Sequence, residues 1–206
     1  MQESEWGETP KPKRRIPVWA WWTCGGGCLV ALIAAAAVTF FIVSLARKAT
    51  DPVKVWAGVA EVLPHDEPPA GWDATMGFSA MGVGQYQLVP PEPAGCLFQL
   101  QTFRDAAQID LAFDPDSPQN VGVFGIGELR EPEEGNFVLQ GREVRCLRFL
   151  GGVPGVKSGA GVRLDLSGGS AAPHAYAQIL FPRASEKPTD EELQELFLPF
   201  DVWRGR

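Results

Sequence analysis

The sequence predicts an α+β protein, with a single N-terminal transmembrane helix followed by one domain of mainly antiparallel sheet that packs a C-terminal helix on one face. Three observations predict it. An uncharged apolar run extends from Val18 to Leu45. After residue 70, short β-type stretches alternate with Gly-containing and Pro-rich breaks. A capped amphipathic pattern then runs from Thr189 to Phe200. The expected organisation is a disordered head over 1–17, the membrane helix over 18–46, a juxtamembrane segment and Pro-rich connector over 47–70, and a soluble α+β domain over 71–206.

The head carries Pro10, Pro12 and Pro17 among Glu and Lys, with too little apolar content to fold alone. The most lipophilic part of the next segment, Cys28 to Ala46, reaches roughly 28 Å as a helix at about 1.5 Å per residue, the thickness of a bilayer core. Trp19, Trp21 and Trp22 crowd one end, Arg47 and Lys48 close the other, and both sets suit membrane interfaces. A cleaved signal peptide is the rival reading, since Ser44-Leu45-Ala46 fits the small-x-small pattern. The apolar run is long for such a peptide, so an anchor fits better. Four basic residues precede the helix and Arg47, Lys48 and Lys54 follow it, which predicts a cytoplasmic N-terminus and residues 50–206 outside the cytoplasm. Gly27, Ala31, Ala35 and Thr39 recur every fourth residue, a stripe through which another helix can approach closely.

Beyond the membrane, Ala49 to Val62 fits a short amphipathic helix with Val55, Val59 and Val62 on one side, and Pro64 to Pro69 a stiff connector. Gly84 to Val89 and Cys96 to Phe103 fit strands separated by a proline-rich loop. Arg104 to Phe113 fits a helix or a strand, ended by Asp114-Pro115. Phe137 to Gln140 and Glu143 to Leu150 flank Gly141-Arg142 as a hairpin, and Gly161 to Leu166 with Ala175 to Phe181 form a second. Thr189 and Glu192 form a capping box for a helix from Asp190 to about Leu198.

This succession of membrane helix, Pro-rich connector, Pro69-Ala70-Gly71-Trp72, a two-strand start, the hairpin through Gly141 and the Thr189 to Phe200 helix resembles uncharacterised bacterial single-pass membrane proteins. Their soluble part is similar to the small α/β sandwich of the extrinsic photosystem proteins. The resemblance covers residues 60–200 and implies a small extracytoplasmic α/β sandwich domain in the cell envelope, with no catalytic residue to transfer.

Charge and motif narrow the function further. The net charge of -7 is unevenly spread: up to Lys54 there are seven Lys/Arg against four Asp/Glu, and from Val55 onward eleven against twenty-one. An acidic domain does not suit nucleic acid, which calls for a clustered basic face. His65 and His174 fit solvated loop positions, and no Gly-x-Ser-x-Gly elbow is present. The glycine clusters at 77–84 and 122–127 lack phosphate-loop spacing and read as turns or bends. No cofactor or metal motif stands out. Asp114 with Asp116, or Glu131, Glu133 and Glu134, are the acids from which a hydrolytic pair would be drawn, although acids beside Pro and Gly also simply hydrate turns. Cys96 and Cys146 fall on expected strands, either as a disulfide or as two buried free thiols.

The sequence thus leads to a membrane-tethered, non-catalytic binding or accessory module acting at the membrane surface. Its expected partners are the membrane and either another protein or a second copy through the helix. The alternative is an envelope enzyme, a carboxylate-dependent hydrolase on the same anchor.

Overall fold

The computed structural model describes residues 30, 32–40, 43–44, 47–117, 129–151, 159–168 and 173–204. The chain divides into two compact units, residues 1–45 and 46–206. In the first, residues 32–40 are helical, and the Thr39 hydroxyl donates to the Ala35 carbonyl at 2.8 Å, one turn back. Leu32, Ile33, Val38 and Phe40 are exposed, Phe40 at 78%. Among the described residues no helix is long and apolar enough to cross a membrane, and much of the expected span, including Gly27 and Ala31, lies outside them.

The second unit is an α+β fold. Helix α1 (Pro52–Ala60) starts at Asp51, whose side chain accepts from the Val53 amide, with proline at the first helical position where no amide is needed. Strands β1 (Asp73–Ala80), β2 (Val83–Val89) and β3 (Leu97–Phe103) form an antiparallel meander. Helix α2 (Ala107–Phe113) follows. A second meander contains β4 (Leu129–Leu139), β5 (Arg142–Gly151), β6 (Ala160–Asp165) and β7 (His174–Phe181). Antiparallel pairing of β3 with β7 joins the two into one seven-stranded sheet, in the order β1-β2-β3-β7-β6-β5-β4. Helix α3 (Asp190–Phe197) closes the unit with the expected capping box: Thr189 caps the Glu192 amide and the Glu192 carboxylate returns to the Thr189 amide.

Alternation along the strands separates two faces. One carries Leu88, Phe98, Leu100, Ile179, Val162, Leu164 and Cys146, packed with Val55, Trp56 and Val59 of α1 and Leu193, Leu196 and Phe197 of α3 in the main core. On the other, Leu147, Phe149, Tyr176 and Leu180 pack against Ile109, Ala112 and Phe113 of α2.

Four expectations change. Residues 47–70 are not merely a connector: Val55, Val59, Val62 and Leu63 are almost wholly buried in the main core, so the folded unit begins well before Gly71. The glycine-rich stretch from 77 contributes a strand, since a Cβ at Gly77 would lie 2.7 Å from the Tyr86 ring and 3.0 Å from Val55, and glycine lets α1 lie close on β1. The first hairpin turn is Met81-Gly82, with φ of 55° and 82°. The later hairpin turns one residue earlier than expected, at Gln140-Gly141 with φ of 48° and 81°, the left-handed pair of a type I′ turn. Finally, Glu131, Glu133 and Glu134 lie in β4, an exposed edge strand, instead of a turn.

Candidate functional site

A groove of about 570 Å³ opens between the proline-rich loop after β2 and helix α3. Trp72 and Leu196 form its apolar floor, Pro91, Pro93 and Pro199 its walls, and Glu92, Glu192 and Glu195 its rim. The floor is rigid because the Trp72 ring meets Phe98 and Phe200 edge-on, at 5.5 and 5.1 Å. The loop cannot continue the β2 ladder, since its prolines lack amide donors, and the Cys96 amide instead donates to the Pro93 carbonyl at 3.0 Å. The Glu192 carboxylate is committed to the helix cap, accepting from the Thr189 amide at 2.8 Å. Glu92 and Glu195 are exposed, and among the described residues no Lys or Arg lines the groove.

A second groove, of about 560 Å³, runs beside α1 past Val53, Trp56, Ala60 and His65. His65 is not a solvated loop residue. Its Nδ1 lies 2.7 Å from the Leu63 carbonyl, and its ring meets Trp56 and Phe200 edge-on at 5.2 and 6.0 Å. Next to it, Asp66 accepts from Arg204 at 2.6 Å, and that guanidinium holds the carboxyl below its usual range. His174 occupies the half-buried first position of β7.

The sheet face under α2 holds a buried polar row. Arg163 is 1% exposed, and its Nε donates to Gln178 Oε1 at 2.8 Å while Nη1 donates to the Ala112 carbonyl of α2. Gln178 passes the chain on to Gln99 at 3.3 Å. The guanidinium carbon also sits 5.8 and 6.0 Å from the Phe149 and Tyr176 rings. Burial lowers the Arg163 pKa from its ordinary value and raises that of Tyr176. Gln85, at the β2 end of this face, is buried with its Oε1 unpartnered. The row was half visible in the alternation of Gln85, Gln87, Gln99 and Gln101; Arg163 gave no such signal, because a lone charge in a strand reads as solvent-facing.

The other expected site residues do not converge. Asp114 accepts from the Asp116 amide at 3.0 Å, so this pair shapes a turn. Glu133 pairs with Lys187 at 3.0 Å and Glu134 with Arg145 at 3.4 Å along the β4 edge. Among the described residues no group of three or more His, Cys, Asp or Glu is placed to hold a metal.

Of the two readings of Cys96 and Cys146, the sheet order favours two buried free thiols. Cys96, immediately before β3, and Cys146 of β5 are both free and buried, with β7 and β6 between β3 and β5. Cys146 aligns through Leu164 and Ala177 with Leu100, four residues along from Cys96. That offset amounts to about 14 Å across the sheet and about 13 Å along it, far beyond the roughly 7 Å that a disulfide spans between Cα atoms. Burial pushes the Cys96 thiol up to about 12. Of the small-residue stripe, Ala35 and Thr39 share a helical face through their hydrogen bond, while Gly27 and Ala31 lie outside the described residues. Comparison with protein-family models, curated proteins and solved structures finds no match to this chain, so the likeness to single-pass membrane proteins remains one of residue pattern.

Proposed function

We propose that the chain is a membrane-tethered, non-catalytic binding module, and that the groove beside α3 takes an apolar, positively charged segment of a partner protein. The observation that carries this reading is the groove itself: an aromatic and aliphatic floor, walls of proline, and a carboxylate rim with, among the described residues, no cation lining it. Such a site suits a ligand that buries apolar side chains and presents Lys or Arg to the rim. The tether is supported by the uncharged run from Val18 to Leu45 and by the exposure of Leu32, Ile33, Val38 and Phe40 on the helical residues within it. The hydrolase alternative draws no support from Asp114, Asp116, Glu131, Glu133 or Glu134, which serve a turn and an edge strand.

Binding is tested with the full chain in mild detergent and a fluorescent peptide of alternating Leu and Lys. Binding that weakens with salt and disappears in Glu92→Lys/Glu195→Lys supports the groove; binding indifferent to the double reversal sinks it. For the tether, the protein should stay with membranes through alkaline extraction and be released when residues 18–46 are deleted. Orientation is read with a new cysteine at Leu198, which is 76% exposed, in a Cys24→Ser/Cys28→Ser background. Labelling by an impermeant reagent in intact cells places the domain outside; protection reverses the assignment.

A further inference from the structure

The sheet ends in two edges of opposite character. On β4, Arg130, Glu131, Glu133 and Glu134 are exposed around Pro132, the register shifts between Arg130 and Glu133, and Glu131 takes a φ of 49°. Charge, proline and a bulge are the devices that turn a further strand away. On β1, Asp73 is the one charged residue and proline is absent. Its outer half carries Met76 at 37% and Phe78 at 43% exposure, beside Met81 and Val83 of the hairpin. The two-residue turn makes Ala80 and Val83 the hydrogen-bonded pair that closes the hairpin, so Gly77 and Ser79 aim their amides and carbonyls away from β2.

We propose that β1 pairs with β1 of a second copy of this chain, antiparallel across a two-fold axis, joining two seven-stranded sheets into one. The register that uses the outward groups of Gly77 and Ser79 puts each Gly77 opposite the other copy's Ser79. Phe78 then meets its own counterpart on the axis in the closer, non-hydrogen-bonded pairing, with Met76 facing Ala80 on either side. Two features select a second copy as occupant. The strip is self-complementary, apolar against apolar, and Asp73 falls beyond the paired ends, so no like charges meet. The guarded β4 edge also blocks head-to-tail β1–β4 growth, so association closes at two. A single strand pair buries less than the roughly 1,600 Å² of a standard interface, so the dimer is a concentration-dependent equilibrium.

The test uses the full chain with Cys24→Ser and Cys28→Ser in mild detergent. Sedimentation should show monomer and dimer in equilibrium, and Phe78→Lys, which sets like charges together on the axis, should weaken the dimer about tenfold or more without changing the melting temperature at dilutions where both proteins are monomeric. If Phe78→Lys does not fold, Met76→Lys reads the same row. Phe78→Cys should form a disulfide-linked dimer on mild oxidation, while Val138→Cys on the β4 edge should not. A monomer at every concentration, equal crosslinking at both edges, or a dimer indifferent to the lysine substitutions overturns the proposal.

Discussion

On one face of the sheet Phe98, Leu100, Val162 and Ile179 are wholly buried with α1 and α3; at adjacent positions of the same strands Gln99, Arg163 and Gln178 are at least nine-tenths buried on the other. The first face is held by area removed from water, which is indifferent to direction. The second adds to its apolar packing against α2 a chain of hydrogen bonds from the Ala112 carbonyl through Arg163 and Gln178 to Gln99, each needing its partner in place. Equal burial therefore hides unequal tolerance. Loss of a methylene on the apolar face costs volume, whereas loss of one donor in the polar row leaves its buried acceptors without that partner.

The largest effect should come from the apolar face. Phe98→Ala empties the centre of the cluster with Trp72, Phe197 and Phe200 and should cost about 3–5 kcal/mol in urea unfolding. A loss below about 1 kcal/mol would mean that this cluster is not the centre of the core. Next is Arg163→Met, which leaves Gln178 Oε1 and the Ala112 carbonyl without this donor and should cost about 1–3 kcal/mol. Adding Gln178→Met should recover part of that loss, because the cycle removes acceptor and donor together. Full additivity would refute a coupled row.

A smaller effect of opposite sign is expected at Gln85. Its buried Oε1 has no partner, so Gln85→Met should raise stability by about 1 kcal/mol; a marked loss would reveal a partner for that oxygen. The last contrast is invisible at neutral pH. The Cys96 pKa stands at about 12 in the fold against an ordinary 9.0. Between those values the unfolded chain loses a proton that the folded one keeps, so stability falls as pH rises through that window. Tyr86 and Tyr176, also raised by burial, add to the fall above about 10. Cys96→Ala should flatten the slope of melting temperature against pH, and an unchanged slope would count against a buried neutral thiol.

Much of this architecture could be read from residues alone. The second meander and α3 were visible because turn chemistry and hydrophobic spacing agree locally: Gly141 at a tight turn, Thr189 and Glu192 in a box, Leu193, Leu196 and Phe197 on one face. β1 was missed because Gly77 answers to Tyr86 across the hairpin and to Val55 of α1, contacts that exist only once β2 has paired and α1 has docked. Only the end of β4 from Phe137 was read as a strand, because the edge strand before it is exposed on both sides and shows no alternation. Arg163 reads as surface in any strand whose second face is assumed wet, and only α2 makes it buried. The groove was out of reach for a simpler reason, since Trp72 and Leu196 lie far apart in the chain and meet only in the finished fold.

The junction between the two meanders has a kinetic consequence. Most neighbouring strands are close in sequence, and two pairs are joined by two-residue turns, so the chain closes those ladders cheaply. β3 and β7 are different: Leu97 pairs with Leu180 and Phe103 with His174, across some seventy to eighty residues. Loop-closure entropy rises with that separation and is lost before the contacts repay it. The pairing of β3 with β7 is therefore the costliest closure in the sheet, more so than either two-residue hairpin. Before that closure Phe98, Leu100, Ala177 and Ile179 lie on strands paired along one edge and open along the other. An open ladder edge beside such apolar side chains is where an incompletely folded chain misassembles.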